Sequence, residues 1–518
     1  MSRLAPPVGA LEFVKLDRPF SNFKFLDSRY GSPPFPLRRL FSQARSRQCH
    51  VLVVEKIEPM AAVLDEVQEL QTTIADYELH GLQRLSFWKV NLEKEADLDA
   101  VDPSACIGYA ILKYDVCPSR TTDAWHVFES VIRKHDHKHN YAPCDTAVSF
   151  RVGARQFSAS GVLYGQQNGL NKACAQVGLR SICANFLQDY DLTYRRINDL
   201  AFAGSATRDP GRGLTTAQTA QVLDGLGIKH TRLSYGGADD IGKFFPYQRA
   251  VYSGIESGCG SLLVFSLPEN RPGREKNLMH MIACFGHTFN EDTWAPTAEV
   301  DYFGADSIRY TPSDAWMSSF LIHDDNFGPN LCMPKAFLKA ELVRHAFVLL
   351  PHGFAYDGFV AEMIAANFFY SIVGHLADSK NEWYLRLVEA ARVRKLILRV
   401  VPVTKAAYLA HLQKMDDWDH HTERKDALVE IDRVIQPGFM WMIEVSFPDL
   451  FPTNKRKVGE VLLDASQPLP AELTFDMFVI ARFPGAYVLP ERMEGGNGGP
   501  QFLSVPSDLI SHTEVLSR

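Results

Sequence analysis

The chain has 518 residues, 46% of them hydrophobic and 22% charged, with a formal net charge of −7. That length exceeds one ordinary hydrophobic core and fits two or three domains. The mild acidity and the lack of a basic block argue against a nucleic-acid partner, because phosphate binding leaves an excess or patch of Lys and Arg.

In chain order, Met1-Ser-Arg-Leu-Ala-Pro-Pro-Val-Gly-Ala10 lacks the basic start and apolar run of a secretory signal. Gly31-Ser-Pro-Pro-Phe-Pro36 reads as a loop or arm, and His50-Val-Leu-Val-Val-Glu55 as a strand. Met60 to Leu82 reads as a helical run, and Cys106-Ile-Gly-Tyr-Ala-Ile-Leu-Lys113 as another strand. These elements predict an N-terminal α/β module over residues 1–150, to which no chemistry is assigned. His135-Asp-His-Lys-His139 spaces three imidazoles at i, i+2 and i+4, which on a strand could hold zinc. Its polar neighbours and the missing fourth ligand favour a solvated loop, and no metal is expected.

Residues 151–334 carry the chemistry. Gly165-Gln-Gln-Asn-Gly-Leu-Asn-Lys-Ala-Cys174 leads into Val177, Leu179, Ile182, Cys183 and Phe186, the apolar positions of a helix with Asn168 or Asn171 as N-cap. Cys174 then lies in the first turn, where orphan N–H groups, the helix macrodipole and Lys172 favour a thiolate. Gly258-Cys-Gly-Ser-Leu-Leu-Val-Phe-Ser266 and Asn277-Leu-Met-His-Met-Ile-Ala-Cys-Phe-Gly286 read as short buried strands, with His280 at the start of the second. Ser319-Phe-Leu-Ile-His-Asp-Asp-Asn-Phe-Gly-Pro329 is a third apolar strand, ending in carboxylates and a Gly-Pro stop. Between them, the turn residues and aromatics of His287–Pro296 and Tyr310–Trp316 suggest a lid or cleft wall.

Residues 335–518 predict a C-terminal mixed α/β module. Gly358 to Val373 reads as a core helix because Glu362 and Asn367 interrupt it as a membrane span. Asn381 to Val393 reads as a helix; Lys395–Val403, Phe439–Ser446 and Lys457–Asp464 read as strands. Asn454-Lys-Arg-Lys-Val-Gly-Glu460 predicts a solvated hairpin tip, and Gly495-Gly-Asn-Gly-Gly-Pro500 a flexible loop. His420-His421, beside Asp416, Asp417 and Asp419, is a weaker metal-type cluster. Nine cysteines without close pairs of metal-binding spacing point to free thiols in a reducing compartment, the cytoplasm by default. No Walker loop or dinucleotide fingerprint is present, and no cofactor is expected.

The order Gln, Cys, His, Asp in the middle third resembles the papain-like cysteine peptidase superfamily, most closely its bacteriocin-leader-processing bacterial branch. Gly213-Leu-Thr-Thr-Ala-Gln-Thr-Ala-Gln-Val-Leu-Asp-Gly-Leu-Gly227 stands where that family has a helix opened by a Gly-Leu-Thr phrase. The resemblance implies an α+β fold: a papain-like core, with its N-terminal helix packed on an antiparallel sheet, flanked by the two α/β modules. It implies Cys174 as nucleophile, His280 as general base and then acid, Asp324 as the orienting carboxylate and Gln167 as the oxyanion donor. The family's six-residue spacing from Gln to Cys lands on Asn168, with Gln167 and Gln166 one and two residues farther out, so Asn168 competes as donor. Asp292 is the competing third member at a more conventional distance from His280, and Asp325 or Asn326 would replace Asp324 after a register shift.

The implied activity is cysteine-dependent acyl transfer on a protein or peptide substrate, as a peptidase or isopeptidase, with neither nucleic acid nor membrane as partner. A transamidase or ligating enzyme would use the same triad. A catalytically inactive papain-like scaffold that binds a protein partner is the reading of another class. Oligomeric state and cleavage specificity are not legible.

Overall fold

The computed structural model describes residues 4–134, 137–144, 146–187, 192–236, 245–267, 278–292, 310–377, 382–393, 396–413, 423–453, 455–469, 477–483, 486–493, 496–504 and 513–514. They form a mixed α+β protein built on three main sheets.

The first sheet runs in the order Glu12–Lys15, Val51–Lys56, Glu78–Trp88, Cys106–Cys117, Thr122–Ile132, and every pair is antiparallel. Along Val51–Lys56 successive side chains alternate between faces. Val51 and Val53 meet the helix Ala61–Thr73, while Leu52 and Val54 meet the helices Ser21–Tyr30 and Phe35–Ser46. Both faces are covered, which explains the uninterrupted apolar run. The expected α/β arrangement is therefore corrected here: a helix connects Val51–Lys56 to Glu78–Trp88, but the chain returns antiparallel. The predicted helical run from Met60 to Leu82 stops at Thr73, where Thr72, Thr73 and Ile74 are consecutive β-branched residues of low helix propensity. The Pro-rich phrase at Gly31–Pro36 is half loop, because Phe35 and Pro36 open a helix, where proline's missing N–H costs nothing.

The second sheet has the order Gly328–Pro334, Met317–Asp324, Met279–Phe289, Ser261–Ser266, Val343–Leu349, His230–Ser234, again antiparallel. A helix lies on each face. Ala175, Leu179 and Ile182 of the helix Cys174–Cys183 pack against Leu262, Met281 and Ala283. On the other side Ala250, Val251 and Ile255 of the helix Tyr247–Glu256 pack against Leu263, Ile282 and Val348. Gly178 allows the first helix its close approach, since a Cβ there would stand 3.3 Å from the Met281 sulfur. The sheet continues past residue 334 to Leu349.

Two sequence expectations change in this region. Gly328-Pro329 is not a stop but the start of a return strand, so Met317–Asp324 and Gly328–Pro334 form a hairpin. The segments expected to form a lid are structural where described: His287 lies buried in the strand Met279–Phe289, and Tyr310–Pro312 joins the third sheet next to the buried Trp316. Residues 293–309 lie outside the described residues.

The third sheet has the order Tyr310–Pro312, Leu396–Thr404, Phe439–Ser446, Gly459–Asp464, Phe478–Phe483, Ala486–Met493, Gly496–Ser504, antiparallel except for its first pair. The helix Gly358–Ala377 packs Ala361, Ala365, Phe368 and Phe369 against Trp441, Ile443 and Leu463, as a core helix should. Among the described residues no helix is long and apolar enough to cross a membrane. The predicted basic hairpin tip is corrected, since Lys457 is buried between Glu444 and Glu460 at 3.3 Å from each. The glycine-rich phrase near the C-terminus is a strand from Gly496 onward rather than a flexible loop.

Candidate active site

Cys174 is the first residue of its helix and is partly exposed, whereas seven of the other eight cysteines are buried. The helix has no side-chain cap: Ala173 holds the N-cap position, so the expected capping by Asn168 or Asn171 is corrected. The Asn168 side chain instead accepts the N–H groups of Leu170 and Asn171 at 2.9 and 3.2 Å and donates to Glu66 at 3.1 Å. It folds the approach loop and ties it to the N-terminal segment. Farther along the helix, the buried Arg180 meets Glu129 at 2.6 Å and the Phe128 carbonyl at 2.9 Å. The helix is thus clamped between the first and second sheets.

His280 is the second residue of the strand Met279–Phe289, opposite Phe265, whose ring meets it edge-on at 5.5 Å. Its Nε2 lies 3.2 Å from Asp324 Oδ2 and 3.5 Å from Asp325 Oδ1. The Cys174 side chain is among the groups that raise the ring's pKa, which puts it beside the ring. With Nε2 turned to the carboxylates, Nδ1 is the nitrogen left for the sulfur. Burial would lower the His280 pKa, but the hydrogen bond to Asp324, the neighbouring Cys174 side chain and the charges of both aspartates outweigh it, lifting the pKa to about 10.

The two aspartates occupy different environments. Asp324 ends its strand, and Oδ1 accepts the N–H groups of Asn326 and Phe327 at 2.9 and 3.2 Å in the turn that leads to Gly328. Burial raises its pKa, yet the contact with His280 and these N–H groups leave it below the usual carboxylate value. Asp325 is pushed up to about 7, first by burial and then by the charge of Asp324, against the pull of His280. Its Oδ1 accepts from the Asn326 amide at 3.0 Å, while its buried Oδ2 has no partner among the described residues.

The remaining predicted residues separate clearly. Gln167 donates from Nε2 to Asn326 Oδ1 at 2.5 Å, which joins the loop before Cys174 to the turn after Asp324. The Gln166 side chain accepts the Val127 N–H at 2.9 Å and so belongs to the first sheet. Asp292 is exposed, with its N–H on Asn290 and its carbonyl on Trp316, and no hydrogen bond or ion pair joins it to His280. The His137 and His139 rings lie 5.0 Å apart, tilted by 42°, in a turn near Glu291, with His135 outside the described residues. Asp416, Asp417, Asp419, His420 and His421 also lie outside them.

Sequence reasoning missed the bracing of this site by the N-terminal segment. Arg39 and Gln43 donate to the backbone carbonyls of Asn330 and Pro329 at 2.9 and 2.6 Å, holding the hairpin that carries Asp324. His323, next to Asp324, is buried and neutral: burial drives its pKa to about 4, Nε2 donates to the Val162 carbonyl, and Nδ1 accepts the Asn330 N–H. No spacing in the sequence connects residues nearly 300 positions apart. Neither a scan against models of known protein families nor a search of curated proteins finds a match to this chain.

Proposed function

We propose that this protein is a cysteine-dependent acyl-transfer enzyme with a papain-like core, acting as a peptidase or isopeptidase on a protein or peptide substrate. The observation that carries this reading is the His280 ring held 3.2 Å from Asp324, with Cys174, the first residue of a helix, among the groups that act on that ring. His280 takes the thiol proton, and the thiolate attacks an acyl carbonyl to form a tetrahedral intermediate. The Cys174 N–H and the Gln167 amide, which keeps one hydrogen beyond its bond to Asn326, are the donors for the oxyanion. Collapse expels the leaving amine with the proton that His280 returns, and the resulting thioester is cleaved by water that His280 deprotonates. An amine in place of water would make the same site a transamidase.

The test is selective modification. A thiol-directed electrophile at neutral pH should label Cys174 far faster than any other cysteine, and His280→Ala should remove that selectivity while substitution of the exposed His80 should not. Equal, slow labelling of several cysteines would favour the inactive-scaffold reading.

A further inference from the structure

His280, Asp324 and Asp325 hold more negative charge than a triad requires, since one carboxylate suffices to orient the ring. Nε2 stands 3.2 Å from Asp324 Oδ2, a hydrogen bond, and 3.5 Å from Asp325 Oδ1, so both carboxylates face the same ring nitrogen. Ligands at about 2.0–2.1 Å from a tetrahedral zinc are separated by roughly 3.3–3.4 Å, the edge of that tetrahedron. Among the described residues this is the one group of His, Cys, Asp or Glu donors that gathers within 4.8 Å, and all three members are buried. The second observation is Asp325 itself, which is 5% exposed, has one oxygen facing His280, and leaves Oδ2 without a partner. Asp324 is already oriented by two backbone N–H groups, as a metal-ligating carboxylate commonly is.

We propose that His280 Nε2, Asp324 and Asp325 bind a divalent cation of the zinc class, with solvent at the remaining position, and that this cation switches the nucleophile off. Coordination requires Nε2 to give up its proton to solvent. The ring then keeps its remaining proton on Nδ1, facing Cys174, and cannot accept the thiol proton. The sulfur acts on the ring but is not one of the mutually close donor atoms, so it is not a ligand. Asp324 keeps 10% side-chain exposure, which gives the cation a way in.

Binding does not depend on the peptidase reading; only its consequence does, and the experiment separates them. The full-length chain carrying Cys174→Ser is titrated with zinc chloride by calorimetry. Cys174→Ser/Asp325→Asn and Cys174→Ser/His280→Gln are titrated in parallel, and thermal melts confirm folding. The expected result is one equivalent bound by Cys174→Ser and weakened at least about tenfold in both double variants. Zinc binding that is unchanged in the double variants, or already lost in Cys174→Ser, overturns the site. In the wild-type chain zinc should block alkylation of Cys174 and a chelator should restore it. Alkylation that proceeds unaltered with zinc bound overturns the switch.

Discussion

Two buried charged clusters lie near opposite ends of the strand Met279–Phe289, and they are built differently. Around His287, Arg399 meets Glu256 at 2.7 Å and Glu444 at 2.9 Å, Lys457 lies 3.3 Å from Glu444 and Glu460, and Arg482 meets Glu460 at 2.7 Å. Three cations alternate with three carboxylates, the Tyr408 hydroxyl donates to Glu460, and His287 meets Glu256 at 2.9 Å. Around His280 two carboxylates share one imidazole, and a partly exposed sulfur completes the group. A balanced cluster fixes how the second and third sheets meet. An unbalanced one, able to exchange protons with a neighbour, suits chemistry.

The largest effect should come from unbalancing the first cluster. Arg399→Met leaves Glu256 and Glu444 buried without their shared cation, and the expected cost is about 3–5 kcal/mol in denaturant unfolding, because an uncompensated buried charge is costly. Cys174 labelling in the folded variant should be unchanged. A stable Arg399→Met protein would break the comparison by showing that the balanced network holds nothing together. Next comes Asp324→Asn, which removes the charge beside Nε2 and its role as acceptor. Alkylation of Cys174 should slow on the order of 10²-fold, within the range of general acid–base contributions. Asp292→Asn, at an exposed turn, should leave the rate unchanged. The reverse ranking would move the orienting role to Asp292.

What was legible in the sequence follows from the range of the interactions. Cys174 at a helix start, His280 near a strand start and Asp324 at a strand end each sit on an element defined by local periodicity; His280 and Asp324 meet at 3.2 Å, and Cys174 is among the groups that act on the ring. The stretch Gly213–Gly227, read as a helix from the family resemblance, holds the helix Thr216–Gly225, and the structure adds the capping box of Thr215 and Gln218. Other features depend on distant partners. The direction of Glu78–Trp88 is set by its pairing with Val51–Lys56, and no local pattern records it. Lys457 reads as solvated beside Lys455 and Arg456 because its two carboxylate partners are fixed only by the packing of three strands. The split between Asp324 and Asp325 arises likewise from the turn, where one carboxylate collects backbone N–H groups and the other does not.

The smallest effect sharpens the contrast through pH. His411, on the helix Lys405–Gln413, faces Lys457, Arg482, Glu444 and Glu460, and its buried Nε2 has no partner among the described residues. Burial first, and then the nearby Lys457, push its pKa down to about 4 from an ordinary 6.5. Because the folded pKa is depressed, the unfolded chain binds this proton more readily. The stability that a neutral His411 contributes is complete above pH 6.5 and is lost as pH falls from 6.5 toward 4. Melting temperature should therefore drop between pH 7 and pH 4.5, and in His411→Gln, which has no proton to gain, that drop should shrink by about 2–4 °C, the shift that roughly 1 kcal/mol produces in a unit of this size. An equal drop in both proteins would mean that the balanced cluster already accommodates a fourth cation, and the distinction drawn between the two sites would rest on the sulfur alone.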